Sequence, residues 1–254
     1  PIPARGGRSP LAATTARIDS RPMTTAPLVS IVIPVFNDEA TISAALESCL
    51  AQTLSEIEVI CVDDASTDGT VAVIERFSAR DPRVRLITHE RNLSALQSRR
   101  TGILDAAADY ILFLDGDDEL APDAAQKAAT RAEATAADLV GFGVTVVDAH
   151  GHTGGSYEQR LQPAHRRLEG SEVLRGLFPI DRPAQGQLWR YLFRTQTLRD
   201  AYALLPDDLV LARINDLPVM FLVAALANRY ESIDEHLYHY HFGRGGSGHR
   251  VDSV

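Results

Sequence analysis

The stretch Val29-Ser30-Ile31-Val32-Ile33-Pro34-Val35 decides how the rest of the chain is read. It is β-branched throughout most of its length and carries no charge, the composition of a strand buried on both faces. A strand of that kind needs cover, and the next segment supplies it. Within Thr41 to Ala51, the residues Ile42, Ala45, Leu46, Cys49 and Leu50 recur at three- and four-residue spacing, one apolar face of a helix. Working outward, Glu58 to Val62 reads as a second strand, Val71 to Phe77 as a helix, Val84 to Thr88 as a strand, Leu96 to Ala107 as a helix and Tyr110 to Leu114 as a strand. Alternation of this kind, joined by right-handed crossovers, predicts an α/β fold: a Rossmann-like, mainly parallel sheet with helices on both faces. Open sheets of this class bind ligands beyond the carboxyl ends of their strands, so the loops after Val35, Val62 and Leu114 should share one crevice.

Past Leu114 the pattern continues with a helix near Pro122 to Ala136 and a strand over Asp138 to Val147, then loses regularity after a Gly-rich turn at His150 to Ser156. Glu169 to Phe178 reads as helical and Leu188 to Phe193 as an aromatic-rich strand or helix entry. Asn215 to Asn228 reads as an apolar helix followed by strand-like Arg229 to Ile233 and Leu237 to Phe242. Before the first strand, residues 1–27 are rich in Pro, Ala, Thr and Arg, hold one acid at Asp19 and show no periodicity, which predicts a disordered tail in which Met23 is a candidate natural start. Residues 28–254 are expected to form a single domain.

Of 254 residues, 45% are hydrophobic and 23% charged, the usage of a globular chain with a substantial core. Lys and Arg number 25 against 34 Asp and Glu, a net charge of −9 and the wrong sign for gripping a nucleic-acid backbone. The two cysteines, Cys49 and Cys61, fall in a predicted helix and a predicted strand, so they read as core residues in a reducing compartment rather than a disulfide framework. The longest apolar run, Leu217 to Ala227, contains Pro218 and falls well short of the roughly 20 residues that span a bilayer. No transmembrane segment is predicted, and the expected location is cytoplasmic, with peripheral contact at the inner face of the membrane.

The chemistry concentrates at the strand exits. Phe113-Leu114-Asp115-Gly116-Asp117-Asp118-Glu119 places four carboxylates directly after an apolar strand, where like charges repel unless a cation relieves them. A hard divalent ion takes oxygen ligands and typically binds one or two carboxylates plus substrate phosphates. The alternative is an acidic turn in which Asp118 or Glu119 caps the next helix. Val62-Asp63-Asp64-Ala65-Ser66-Thr67-Asp68-Gly69-Thr70 repeats the arrangement. Here Asp64 suits recognition of an imide N–H or ribose hydroxyl, and Ser66, Thr67 or Asp68 suits capping of the following helix. The first exit, Pro34-Val35-Phe36-Asn37-Asp38-Glu39, carries neither a dinucleotide-binding glycine pattern nor a P-loop. Trp189 with Tyr191 reads as core or as a surface on which a sugar stacks. His239 and His241 share one face of a strand, a spacing open to metal binding or to packing.

Taken together, the run from Val29 to Asn37, Gln52-Thr53 at the close of the first helix, Val62 to Thr70 and Tyr110 to Asp118 resemble the family 2 glycosyltransferases of GT-A fold. The resemblance implies a nucleotide-binding half over residues 28–120 and a less regular acceptor-side half over 121–254. It also implies a nucleoside-diphosphate sugar donor, with a UDP-sugar favoured, and Mg²⁺ or Mn²⁺ as cofactor. Transfer would invert the anomeric carbon, and the acceptor would be a glycan, a lipid-linked molecule or a small molecule. Carried over by position, Pro34, Phe36, Asn37 and Glu39 would line the donor pocket, Asp64 would contact the base, Asp115 would lie near ribose and metal, and Asp117 would be the principal metal ligand. Arg99 and Arg244 would face the donor, Arg244 from a basic Gly- and Ser-containing loop after the last strand, and Asp216 would be the base that activates the acceptor. Two positions depart from the family pattern: Arg100 stands where Asn is usual, and Asn215 where Glu is common. The competing readings are a catalytically silent nucleotide-sugar-binding module and a sugar-nucleotidyltransferase.

Overall fold

A computed structural model describes residues 15–18, 26–211 and 215–244. In chain order the elements are β1 (Thr15–Ile18), β2 (Val29–Val35), α1 (Ile42–Leu50), β3 (Ile57–Asp63), α2 (Thr70–Ser78), β4 (Val84–His89), α3 (Ala95–Asp105), β5 (Tyr110–Phe113), β6 (Glu119–Leu120) and α4 (Ala124–Thr135). They continue with β7 (Leu139–Val147), α5 (Ser156–Leu161), β8 (Arg167–Glu169), α6 (Ser171–Leu177), a 3₁₀ turn at Leu188–Arg190, β9 (Tyr191–Arg194), α7 (Thr195–Ala203), α8 (Asp216–Leu226) and β10 (Arg229–His241). Thr15–Ile18, inside the stretch expected to lack structure, pairs antiparallel with β4. The rest of that expected tail up to residue 25, Met23 included, lies outside the described residues, as does the loop beyond Arg244.

One mixed sheet runs β1-β4-β3-β2-β5-β9-β7-β10-β6, with β8 also on β10. The pairs β2–β3, β3–β4 and β2–β5 are parallel, as the alternating pattern requires, and β7–β10 is parallel as well. Between these two blocks sits β9, antiparallel to both β5 and β7. The core strands are buried on both faces: every residue of β3 is buried, and in β2 only Pro34 is partly exposed. The helices close the two faces. On α3, Gly102 packs so tightly on β2 that a Cβ there would lie 2.4 Å from Val32 Cγ1, which fixes the height of that helix over the sheet. Gln52, at the end of α1, donates from Nε2 to the carbonyls of Ser48 and Ala121 and accepts from the Ala125 N–H, tying α1 to the start of α4. That is the structural work of the Gln-Thr pair noted in the sequence. Cys49 and Cys61 are buried and unpaired. Among the described residues no helix is long and apolar enough to cross a membrane.

Candidate active site

The carboxyl ends of β2, β3 and β5 converge as expected. After β5 the chain turns sharply, with the Asp118 N–H donating to the Asp115 carbonyl at 3.1 Å. Asp118 caps no helix. Its side chain is 1% exposed and accepts from the Tyr238 hydroxyl at 2.7 Å and from the His241 N–H at 2.7 Å, both on β10. The same Tyr238 oxygen accepts from the Asp115 N–H at 3.2 Å. A strand more than 100 residues further along the chain thus locks the acidic turn, leaving Asp115 and Asp117 as its two partly exposed carboxylates ahead of Glu119.

A third acid joins them that the sequence reading had not singled out. Asp38, after β2, lies against Gly116: a Cβ on that glycine would come 2.7 Å from Asp38 Oδ2, so the small residue admits the close approach of the two loops. Burial, reinforced by mutual repulsion, pushes Asp38 and Asp115 up to about 6 and Asp118 up to about 8, and it raises Asp117. The Arg99 guanidinium pulls Asp115 back down, and Arg244 does the same for Asp117. Arg244 lies 3.9 Å from Glu119, which places the start of the basic loop beside the acidic turn. Among the described residues no three metal-ligating side chains are gathered into one group. Asp115 and Asp117 are hard oxygen donors held close enough to repel one another, a set that fits an ion taking two carboxylates and completing its sphere from substrate phosphates and water.

Arg99, expected at the donor, is 4% exposed and occupied within the chain. Its Nη1 donates to Asp216 Oδ1 at 2.7 Å and to Asn215 Oδ1 at 2.9 Å, and its Nη2 to Asp115 Oδ1 at 3.2 Å. Asp216 opens α8, and its other oxygen accepts from the Leu188 N–H at 3.1 Å. The candidate base and the first acid of the turn therefore share one guanidinium. Arg100 serves the fold: it donates to the carbonyls of Pro206, Tyr202 and Leu205 and pairs with Asp207, so with Gln97 it straps the 204–209 segment onto α3.

Among the residues expected to line a donor pocket, Phe36 is exposed at 47% and Pro34, two residues earlier, is partly exposed. Asn37 holds φ of 59° and accepts from the Thr67 N–H while donating its own N–H to Ser66 Oγ. Asp64 does not present a free carboxylate for a base. It is 3% exposed, and its oxygens accept from the Leu93 and Ser94 N–H groups at 2.8 Å each and contact His89 Nδ1 at 2.9 Å, building the entry to α3. Glu39 likewise spends Oε2 on the Gly69 N–H, and Asp68 accepts from the Thr70 N–H, so these two acids satisfy the first turn of α2. Trp189 belongs to the core, 6% exposed and stacked on Tyr238 and Tyr240 with centroids 4.7 and 5.3 Å apart. His241 approaches Glu119 at 2.9 Å, and neither it nor His239 joins a metal-ligating group among the described residues.

Comparison with known proteins bears on this arrangement. The model of the family described as "Glycosyl transferase family 2" matches residues 30–196. The "Uncharacterized glycosyltransferase EpsJ" of Bacillus subtilis (strain 168) is 34% identical over 215 residues, covering 84% of this chain and 61% of that protein. Among solved structures, S. aureus TarS 1–349 in complex with UDP-GlcNAc superposes with a TM-score of 0.67 at 22% identity, covering 89% of this chain and 61% of that one. The mannosyltransferase PcManGT of Pyrobaculum calidifontis, in complex with GDP-Man and Mn²⁺, gives 0.61 at 18% identity over 87% and 59%. The present chain thus spans about three fifths of the length of each of these relatives, and the structural likenesses establish the GT-A fold.

Proposed function

The chain belongs to glycosyl transferase family 2, and on that premise we propose that it moves a sugar from a nucleoside-diphosphate sugar, preferentially a UDP-sugar, to an acceptor hydroxyl with inversion at the anomeric carbon. The observation that carries the reading is the shared guanidinium: Arg99 brings the acidic turn at Asp115 and the acid at Asp216 to one place, although 101 residues separate them in the sequence. Direct displacement calls for two such groups in one place, one beside the departing diphosphate and another beside the incoming hydroxyl.

Pro34 and Phe36 offer the apolar surface on which the base rests, and Asn37 with Ala65, both at positive φ, shape the loops around it. Asp64 acts one step back, by fixing the start of α3 and so the position of Arg99. Mg²⁺ or Mn²⁺, held by Asp117 and Asp115, would supply positive charge to the leaving diphosphate as its bond to the sugar breaks. Arg244 adds a cation on the same side. Asp216 accepts the proton of the acceptor hydroxyl while that hydroxyl's oxygen bonds to the anomeric carbon, and the bonding pair of the broken C–O bond departs with the nucleoside diphosphate. The TarS complex with UDP-GlcNAc and the PcManGT complex with GDP-Man and Mn²⁺ support this donor class. The acceptor class proposed is a glycan, a lipid-linked molecule or a small molecule.

The test is release of sugar from UDP-, GDP- and dTDP-sugars in the presence of Mn²⁺, run beside D216N. Turnover by the native chain, reduced on the order of 10²–10⁴-fold in D216N with the folded state retained at the assay temperature, supports the assignment. Donor binding with no turnover across the panel makes the chain a silent binding module instead, and formation of nucleotide sugar from sugar phosphate and nucleoside triphosphate makes it a nucleotidyltransferase.

A further inference from the structure

Arg99 is spent on groups of its own chain. It is almost fully buried, and its Nη1 and Nη2 contact three side chains from two distant segments: Asp115 after β5, and Asn215 with Asp216 at the start of α8. Its flank rests on the Phe113 ring, 5.9 Å from the centroid, and its Nε has no acceptor among the described residues. A guanidinium costs much to desolvate, and its planar fork is suited to holding two carboxylates at once.

We propose that Arg99 is a positioning residue for Asp216: it sets the carboxylate of the base at a fixed distance from the diphosphate-binding turn and makes no contact with donor. This deepens the function proposed above and rests on it. The fork explains the geometry. Two nitrogens spaced rigidly on one plane hold Asp216 on one side and Asp115 on the other, and Leu188 N–H fixes the second oxygen of Asp216, so the carboxylate cannot rotate. Asn215 completes the clamp. It offers a neutral acceptor at 2.9 Å, so two carboxylates, Asp115 and Asp216, share the one cation and the short 2.7 Å contact stays with the base. Being neutral, Asn215 leaves the charge of Arg99 to Asp115 and Asp216.

The experiment is steady-state hydrolysis of whichever donor the native chain turns over in the UDP-, GDP- and dTDP-sugar panel with Mn²⁺, measured for R99M, R99K and D216N and for the double variant R99M/D216N, with melting recorded for each. A misplaced base lowers kcat, so R99M is expected to lose on the order of 10²-fold in kcat, with a smaller change in donor KM because Asp115 also loses its contact with Nη2. R99K, which keeps the charge but loses the fork, should fall between, and R99M on top of D216N should cost almost nothing further. A rise in donor KM at preserved kcat overturns the proposal and returns Arg99 to the donor. Full additivity of R99M and D216N also overturns it, because two groups acting through one another cannot be additive. If R99M fails to fold, R99K alone decides between the kcat and KM outcomes. Absence of turnover by the native chain, by contrast, brings down the function itself and this inference with it.

Discussion

Asp118 makes the stability of the protein depend on pH in an unusual direction. Its carboxyl is 1% exposed, and burial, then repulsion from Asp117 and Asp115, pushes it from 3.8 up to about 8. In the unfolded chain it titrates near 4, so between pH 4 and 8 the folded state holds a proton that the unfolded state has lost. The stability tied to that proton is complete below pH 4 and disappears as pH rises through 8. For one proton the slope approaches about 1.4 kcal/mol per pH unit, which in a chain of this size is roughly 3–5 °C of melting temperature per unit. Asp38 and Asp115, raised to about 6, act in the same direction, whereas His241, held below its ordinary value by burial, opposes them. Comparison with D118N isolates the effect, since the amide oxygen can still accept from the His241 N–H and the amide group can still meet Tyr238. Thermal melting in EDTA from pH 5 to pH 8 should show D118N gaining on the native protein as pH rises, by up to that slope. A melting difference that stays constant across the range refutes the reasoning.

Two substitutions probe how the sheet and helices set up the site. G102A drives a methyl to 2.4 Å from Val32 Cγ1, so it should cost about 1–3 kcal/mol of stability and lower the melting temperature by several degrees; an unchanged melting curve contradicts the close contact of α3 with β2. Q52L removes a buried side chain that satisfies the Ala121 carbonyl and the Ala125 N–H, and it should cost about 1–3 kcal/mol by urea unfolding, with amide exchange at Ala125 accelerated.

The first half of the fold was legible because β2, β3 and β5 are largely apolar runs buried almost throughout, and α1 buries one apolar face at three- and four-residue spacing. The second half was harder for identifiable reasons. The face that α7 buries includes Thr195 and Thr197 beside Leu198, Ala201 and Tyr202, and Thr195 donates to the Ala108 carbonyl, so a polar pair sits where the apolar pattern should be. β10 read as two strands because Asp234-Glu235-His236 interrupts it; the strand runs through, with shifts of register against β7 at that point. β6 is two residues long and exists through its pairing with β10. That β9 would enter antiparallel between two parallel blocks depends on its neighbours, which no local pattern records. At the site, the acids at the strand exits announced themselves, but their partners did not. Asp64 is met by backbone groups 29 and 30 residues away and Asp216 by an arginine 117 residues away, so which acids are occupied and which remain exposed is decided by tertiary contacts.

The account stands on Asp117 and Asp115 gripping a cation against a diphosphate, and the melting temperature of the native chain and of D117N with UDP, with Mn²⁺, and with both is the most direct measurement of that claim. At about 100 times the dissociation constant a ligand adds roughly 2.7 kcal/mol to the folded state, on the order of 5–10 °C here. The expected result is a rise of that size in the native chain when UDP and Mn²⁺ are present together, a much smaller one with either alone, and none in D117N. Equal stabilisation by UDP with and without Mn²⁺, undiminished in D117N, would contradict it.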